Sequence, residues 1–226
     1  MPESTVQHWD KLWAQHKDEP VHDRELAHII NYYKGSLKNK KVLETGAGSG
    51  GDSIALHQMT KCKNYCADYS AKSIAFLKKN FKKAGINDAQ FIKADIRNIP
   101  VKDGTFDVIF SNGVLEHFRD PIVIMKEQKR VLKKGGLLVI GVPETYSLYT
   151  IKKQIQIRRG TWFAGWETQY SAGDMRRMAK KAGLKIVAIK VYGNAPLRFP
   201  PWLKKICTAL RVNRVLASDV VLYATK

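Results

Sequence analysis

The chain has 226 residues with 44% hydrophobic and 26% charged content, enough for one sizeable core. Its 39 lysines and arginines against 20 acids give a net charge of +19, a field that favours an anionic partner. No apolar run nears the roughly 20 residues that span a bilayer, residues 1–17 lack a signal-peptide core, and three cysteines suit no disulfide framework, so a reducing, cytoplasmic setting is expected.

The charge is uneven. Residues 1–40 hold six basic and six acidic groups, residues 41–140 hold 17 and 10, and residues 141–226 hold 16 and 4. The excess therefore lies mainly in the last third.

Residues 4–17 read as an amphipathic helix with Trp9, Leu12 and Trp13 on one face. A second helix is expected over Asp23–Tyr33, ended by Gly35. No strand precedes either, so they form an extension ahead of the sheet, packed on the core or covering a ligand. Strands and helices then alternate. Val42–Glu44 is the first strand and a helix follows from about Gly51 to Met59. Asn64–Ala67 is the second strand, ending at Asp68, and Ser70 caps the next helix. Cys62 and Cys66 fall in this region and read as buried packing rather than metal ligands. Gln90–Ala94 is the third strand, ending at Asp95, and Phe106–Ser111 is the fourth. Asp120-Pro121 opens a helix running to about Leu132, closed by Lys133-Lys134-Gly135-Gly136. Leu137–Val142 is the fifth strand, apolar throughout, as a strand covered on both faces would be.

After Pro143 the pattern changes. Residues 144–166 mix Lys152, Lys153, Arg158 and Arg159 with Tyr146, Tyr149, Trp162, Phe163 and Trp166. Ser171 and Asp174 then form a capping-box variant. A helix to Ala182, a strand over Leu184–Val191, a Pro-containing insertion over 193–217 with a short amphipathic piece Leu203–Leu210, and a last strand Asp219–Ala224 complete the chain. The β–α alternation predicts a parallel sheet with helices on both sides.

Ligands of such sheets bind beyond the carboxyl ends of the strands. The glycine turn after the first strand, Gly46-Ala47-Gly48, lets backbone approach a ligand closely. Gly46-x-Gly48-x-x-Gly51 also satisfies the dinucleotide fingerprint. A pyrophosphate, however, prefers amides to an adjacent carboxylate, and Glu44 stands two residues before the turn. A cationic sulfonium tolerates that acid. Asp68, 22 positions after Gly46, is placed to bind both hydroxyls of a ribose, and Asp95 could accept from an adenine amino group.

The ordered set Leu43–Gly50, Ala67–Ser70, Lys93–Asp95, Phe106–Ile109, Val114–Phe118 and Leu132–Gly136 resembles the successive motifs of class I S-adenosylmethionine-dependent methyltransferases. The most similar branch contains the ubiquinone and menaquinone biosynthesis enzymes, and the resemblance covers about residues 40–192. It implies an α/β, Rossmann-like, seven-stranded mixed sheet with the last strand antiparallel, helices on both faces and an N-terminal helical extension. It implies one methyltransferase domain over 1–226: an extension (1–39), a cofactor-binding half (40–143) and a substrate-side half (144–226) with insertions 144–166 and 193–217. The cofactor, S-adenosyl-L-methionine with S-adenosyl-L-homocysteine as product, is then expected against Glu44, Gly46, Ala47, Gly48, Asp68, Tyr69, Asp95, Ile96, Asn112 and Gly113. The last two line the methyl-donor side.

His117 is the candidate catalytic base, with Glu116, Tyr146, Tyr149, Trp162 and Trp166 on the substrate side. The ubiquinone O-methyltransferases bind a metal through a Glu-x-x-Glu-His pattern. Here Gly113 replaces the first Glu, so no metal is expected. The acceptor reads as a small molecule, anionic or lipid-like, drawn by Lys152, Lys153, Arg158 and Arg159. Trp202–Leu210 with Arg211 and Arg214 offers peripheral contact with an anionic membrane. A nucleic-acid methyltransferase is the alternative that the charge supports. Against it, Ser111-Asn112-Gly113-Val114 lacks the Asn/Asp-Pro-Pro-aromatic grip on an extruded base.

Overall fold

The computed structural model describes residues 5–15, 23–162, 164–192, 202, 206, 209 and 217–226. Seven strands form one sheet in the order β3-β2-β1-β4-β5-β7-β6. They are β1 (Lys41–Thr45), β2 (Lys63–Asp68), β3 (Gln90–Lys93), β4 (Phe106–Asn112), β5 (Leu132–Pro143), β6 (Lys185–Tyr192) and β7 (Asp219–Thr225). β1 pairs in parallel with β2 and β4, β2 with β3, and β4 with β5. β7 runs antiparallel to both of its neighbours, β5 and β6. This is the mixed seven-stranded sheet expected above.

Both faces of the sheet are buried, because successive side chains point to opposite sides. Leu43, Ile109, Leu138 and Ile140 join one core with Ile124, Met125, Met175 and Ala179. Val42, Val108, Phe110, Val139 and Tyr223 join the other with Leu26, Ile29 and Leu56. The helices supplying these residues are α2 (Asp23–Tyr32) and α3 (Gly51–Thr60) on one face, and α5 (Pro121–Val131) and α7 (Ala172–Lys181) on the other. α4 (Ala71–Lys83) packs Leu77 and Phe81 beside Ala47 and Cys66. Cys62 stands just before β2 rather than in it; both thiols are buried, and burial raises the pKa of each. Cys207 lies outside the described residues.

The predicted caps are made. The Ser70 side chain accepts from the Ser73 amide, Asp120 accepts from the Ile122 amide with Pro121 behind it, and Ser171 and Asp174 form a reciprocal capping box. Each such cap contributes about 1 kcal/mol.

Two expectations need correction. Lys133–Gly136 does not extend the helix end. The chain enters β5 at Leu132, opposite Phe106, and the register shifts before Val108 pairs with Leu137. Gly136 then lies so close to the Asp107 carbonyl that a Cβ would stand 2.8 Å away, and Lys133 pairs with the Asp107 carboxylate at 2.8 Å. The segment 144–166, read above as an insertion with no named element, contains a helix. Ser147 caps α6 (Leu148–Arg158), accepting from the Thr150 amide. The insertion 193–217 lies outside the described residues except at Trp202, Ile206, Ala209 and Ala217. The first three of these are helical and exposed.

Candidate active site

β1 ends at the glycine turn, and sterics explain the glycines there. Gly46 has φ +68°, and a Cβ on it would stand 2.5 Å from Val114. Gly50 has φ +78°, and its Cβ would meet Leu77 at 2.5 Å. The turn is braced from β2, since the Asp68 carboxylate accepts from the Gly48 amide at 3.0 Å and from the Ser70 amide at 2.9 Å. Burial raises the Asp68 pKa in spite of these bonds. Glu44 is buried at the end of β1, Ala47 and Ile96 are buried, and Tyr69 is exposed. Asp95 is engaged by its near neighbour: Arg97 donates from its backbone amide and binds the carboxylate through its guanidinium, 2.6 Å away at the closest. Burial works upward on Asp95, but the bonds and charge of Arg97 hold it below its ordinary value.

β4 carries Asn112 and Gly113 at its end, and the next residues form a short 3₁₀ turn, Leu115–His117. A Cβ on Gly113 (φ +66°) would lie 3.7 Å from Glu116 Oε1. Val114 and Gly113 therefore lie between the glycine turn and Glu116.

Glu116 and His117 sit in a buried cluster with Trp166, Lys153 and Glu167, and of these only Glu167 was not singled out by the sequence reading. His117 Nδ1 lies 3.2 Å from the Trp166 carbonyl oxygen, which can only accept, so Nδ1–H donates and Nε2 of the neutral ring keeps its lone pair. Nε2 stands 3.7 Å from Glu167 Oε2. The other oxygen of Glu167 pairs with Lys153 Nζ at 3.1 Å, and Lys153 is only 1% exposed. This corrects the reading of Lys153 as a solvent-facing anion attractor, since α6 turns it inward against Glu167. Lys152, Arg158 and Arg159 remain exposed. Among the described residues Glu116 Oε2 has no hydrogen-bond partner.

The electrostatics follow from this burial. Desolvation, reinforced by the charge of Glu167, raises Glu116 to about 8. Desolvation lowers His117 to about 4. Glu167 is also raised, because burial outweighs the attraction of Lys153. Tyr149 is pushed up to about 12 by burial and the surrounding carboxylates.

Aromatic groups enclose the cluster. Trp9 of α1 (Val6–Gln15) meets His117 edge to face at 4.8 Å, and Tyr149 meets Trp162 at 6.5 Å. The Arg119 guanidinium lies over Trp166 at 4.9 Å. Tyr146 is exposed. α1 is fastened at a second point, where Asp10 accepts from the Ser70 hydroxyl and the Lys72 amide. One helix thus spans from the residues beside Asp68 to His117.

The ligand atoms of Glu116, His117 and Glu167 lie within 4.8 Å of one another, a spacing a metal ion could use. The Lys153 ammonium already supplies a positive charge to Glu167 there. No other such group occurs among the described residues.

Residues 36–183 match the family model described as a methyltransferase domain. The chain belongs to this family. It is a class I S-adenosylmethionine-dependent methyltransferase. The buried acids at the ends of β1 and β2 and a turn too tight for any Cβ fit a cationic, amino-acid-bearing cofactor better than a pyrophosphate.

The methyltransferase is 26% identical over 184 residues to the phthiotriol/phenolphthiotriol dimycocerosates methyltransferase of Mycobacterium tuberculosis, a match covering 75% of this chain and 61% of that one. It thus spans less than two thirds of that relative's length. It is 25% identical over 209 residues to the ubiquinone biosynthesis O-methyltransferase of Acinetobacter baylyi, covering 85% and 84%. Geranyl diphosphate C-methyltransferase from Streptomyces coelicolor shares the fold, with TM-score 0.67 at 15% identity over 90% of this chain and 78% of that one.

Proposed function

We propose that the protein transfers the methyl group of S-adenosylmethionine to a small-molecule acceptor, lipid-like or anionic, bound beside His117 and beneath the 144–166 segment. The observation that carries this reading is the aromatic enclosure of Trp9, Tyr149, Trp162 and Trp166 around Glu116 and His117, separated from the glycine turn by Val114 and Gly113. Two of the relatives named above act, by their names, on a lipid-like and a quinone-type acceptor. In this reading the chain is one domain, with 40–143 serving the cofactor and 144–226 the acceptor. Glu44, Gly46, Ala47 and Gly48 hold the methionine end, Asp68 and Tyr69 the ribose, Asp95 and Ile96 the adenine, and Asn112 and Gly113 the methyl-donor side. Holding acceptor and methyl group in line supplies much of the acceleration.

Isothermal titration tests the cofactor residues. Glu44→Ala and Asp68→Ala are each expected to weaken S-adenosylmethionine binding roughly 10- to 100-fold, the value of one or two charge-assisted hydrogen bonds. Unchanged affinity in both variants would sink these assignments.

A lipid-like acceptor also needs a route from a bilayer. Among the described residues no helix is long and apolar enough to cross a membrane. Exposed apolar groups do occur in both segments leaving the carboxyl edge of the sheet: Ile151 and Ile155 on α6, and Trp202 and Ile206 after β6. Basic residues flank them in sequence. We expect the protein to sediment with phosphatidylglycerol vesicles, less so as salt rises, and Trp202→Ser with Ile206→Ser to weaken that binding roughly tenfold or more. Tighter retention on RNA than on vesicles, with methyl incorporated into the RNA, would replace the small-molecule reading.

A further inference from the structure

We propose that Glu116 is the base that takes the acceptor's proton during methyl transfer, and that His117 and the Glu167–Lys153 pair are positioning residues that hold it there. The inference rests on the small-molecule reading and narrows it to acceptors that lose a proton on methylation, such as a hydroxyl, a phenol or an ammonium group.

The geometry separates the two neighbours. His117 is held on three sides: its Nδ1–H is spent on the Trp166 carbonyl, Nε2 faces Glu167, and Trp9 covers the ring. Glu116 lacks such fastenings at Oε2, although it is only 2% exposed. A buried carboxylate oxygen without a partner is costly to keep and is satisfied by a ligand that donates to it. Its other oxygen faces Gly113, whose neighbour Val114 packs directly on Gly46 of the cofactor turn.

The charged and titratable groups around Glu116 come from four elements. Glu167 precedes α7, Lys153 and Tyr149 lie on α6, Asp219 begins β7, and Tyr170 and His117 complete the set. Two carboxylates beside one ammonium leave one negative charge in excess, so this environment makes Glu116 a stronger base than an ordinary carboxylate. Buried His117, by contrast, is a weak base.

The balance for a hydroxyl acceptor is simple. The acceptor oxygen forms a bond to the methyl carbon as the carbon–sulfur bond breaks. Sulfur keeps that electron pair and becomes a neutral thioether, and the hydroxyl proton passes to Glu116. A sulfonium and a carboxylate are both neutralised, an exchange favoured where water is excluded. Glu116 later returns the proton to solvent.

The first test needs no acceptor. Binding heats of S-adenosylmethionine and S-adenosylhomocysteine are measured at pH 7 in two buffers of different ionisation enthalpy. A sulfonium beside Glu116 expels its proton, so the wild type should release a fraction of a proton with the sulfonium cofactor and none with the thioether. Glu116→Gln should abolish the difference. Equal proton release for both ligands, or a difference that persists in Glu116→Gln, overturns the proposal. Failure of S-adenosylmethionine to bind at all would instead overturn the cofactor reading.

The second test uses decylcatechol as a protic probe and decyl methyl sulfide, a thioether that carries no proton to lose, as an aprotic one. With decylcatechol, kcat should climb with pH to a plateau. Glu116→Gln should lower kcat roughly 100-fold or more with little change in KM, and His117→Gln should shift the pH profile rather than abolish activity. Wild-type kcat in Glu116→Gln, or turnover of the aprotic probe alone, overturns the proposal. So does activity lost to a chelator and restored by Mg²⁺, which would assign the cluster to a cation. Turnover of neither probe overturns the small-molecule reading on which it rests.

Discussion

Lys153→Met will cost the protein about 3 kcal/mol of stability at pH 7, and less at pH 5. The ammonium is buried and its partner Glu167 is buried with it, 3.1 Å away. Methionine keeps the length of the side chain but leaves the carboxylate without its counter-charge. Burial already raises Glu167, so the protein relieves the stranded charge by protonating it, and the loss shrinks as pH falls. Glu167→Gln should also be destabilising, by about 3 to 5 kcal/mol, because it leaves the buried Lys153 ammonium without its counter-charge. The double variant should cost less than either single change, since no buried charge remains. Urea denaturation at pH 5 and pH 7 reads all three values. Additive losses would mean that the pair is not coupled.

Between pH 6.5 and 8 the wild type will lose roughly 2 kcal/mol of stability that Glu116→Gln retains. Glu116 is held at about 8 against an ordinary 4.5. Its contribution is full below 4.5, where both states are protonated, and is lost as pH rises towards 8, because the unfolded chain gives up its proton first. His117, held at about 4 against 6.5, acts in the opposite sense. Its contribution is full above 6.5 and is lost as pH falls towards 4. From 4.5 to 6.5 the two slopes oppose and largely cancel. Above 6.5 His117 is neutral in both states, so of this pair only Glu116 still titrates, and the difference between the wild type and Glu116→Gln reads its share. Chemical denaturation of both proteins at pH 6.5 and pH 8 decides the matter, and parallel curves would refute the linkage.

The cofactor half of the fold was legible because its signals are local. A strand, a glycine turn and a capped helix each depend on residues within a few positions, and Ser70 and Asp120 cap where their spacing says they should. The acceptor side was harder to read. Lys153 looks like one more cation in a basic segment, and only the facing of α6 shows that it points inward. Glu167 is one of four acids in residues 141–226, and that scarcity was the one available signal. Its pairing with Lys153 and His117 depends on three elements meeting, which no spacing encodes. The same holds for Trp9, which reaches His117 across more than a hundred residues. The start of β5 was missed for a different reason: Lys133-Lys134-Gly135-Gly136 carries the chemistry of a helix end, but the sheet edge captures Leu132 first.

The antiparallel β7 has a consequence for grafting. Its first residue, Asp219, is paired with Pro143 on one side and Tyr192 on the other. The connection 193–218 therefore leaves and rejoins the sheet at neighbouring positions, and the segment 145–169 is closed at its base by the Glu144–Tyr170 bridge. A chimaera with four joints, at Glu144, Tyr170, Tyr192 and Asp219, can take both insertions from another member of the family while β1, β2 and β4 keep their own partners. Such exchanges offer a direct way to ask how much of acceptor choice resides in transplantable pieces.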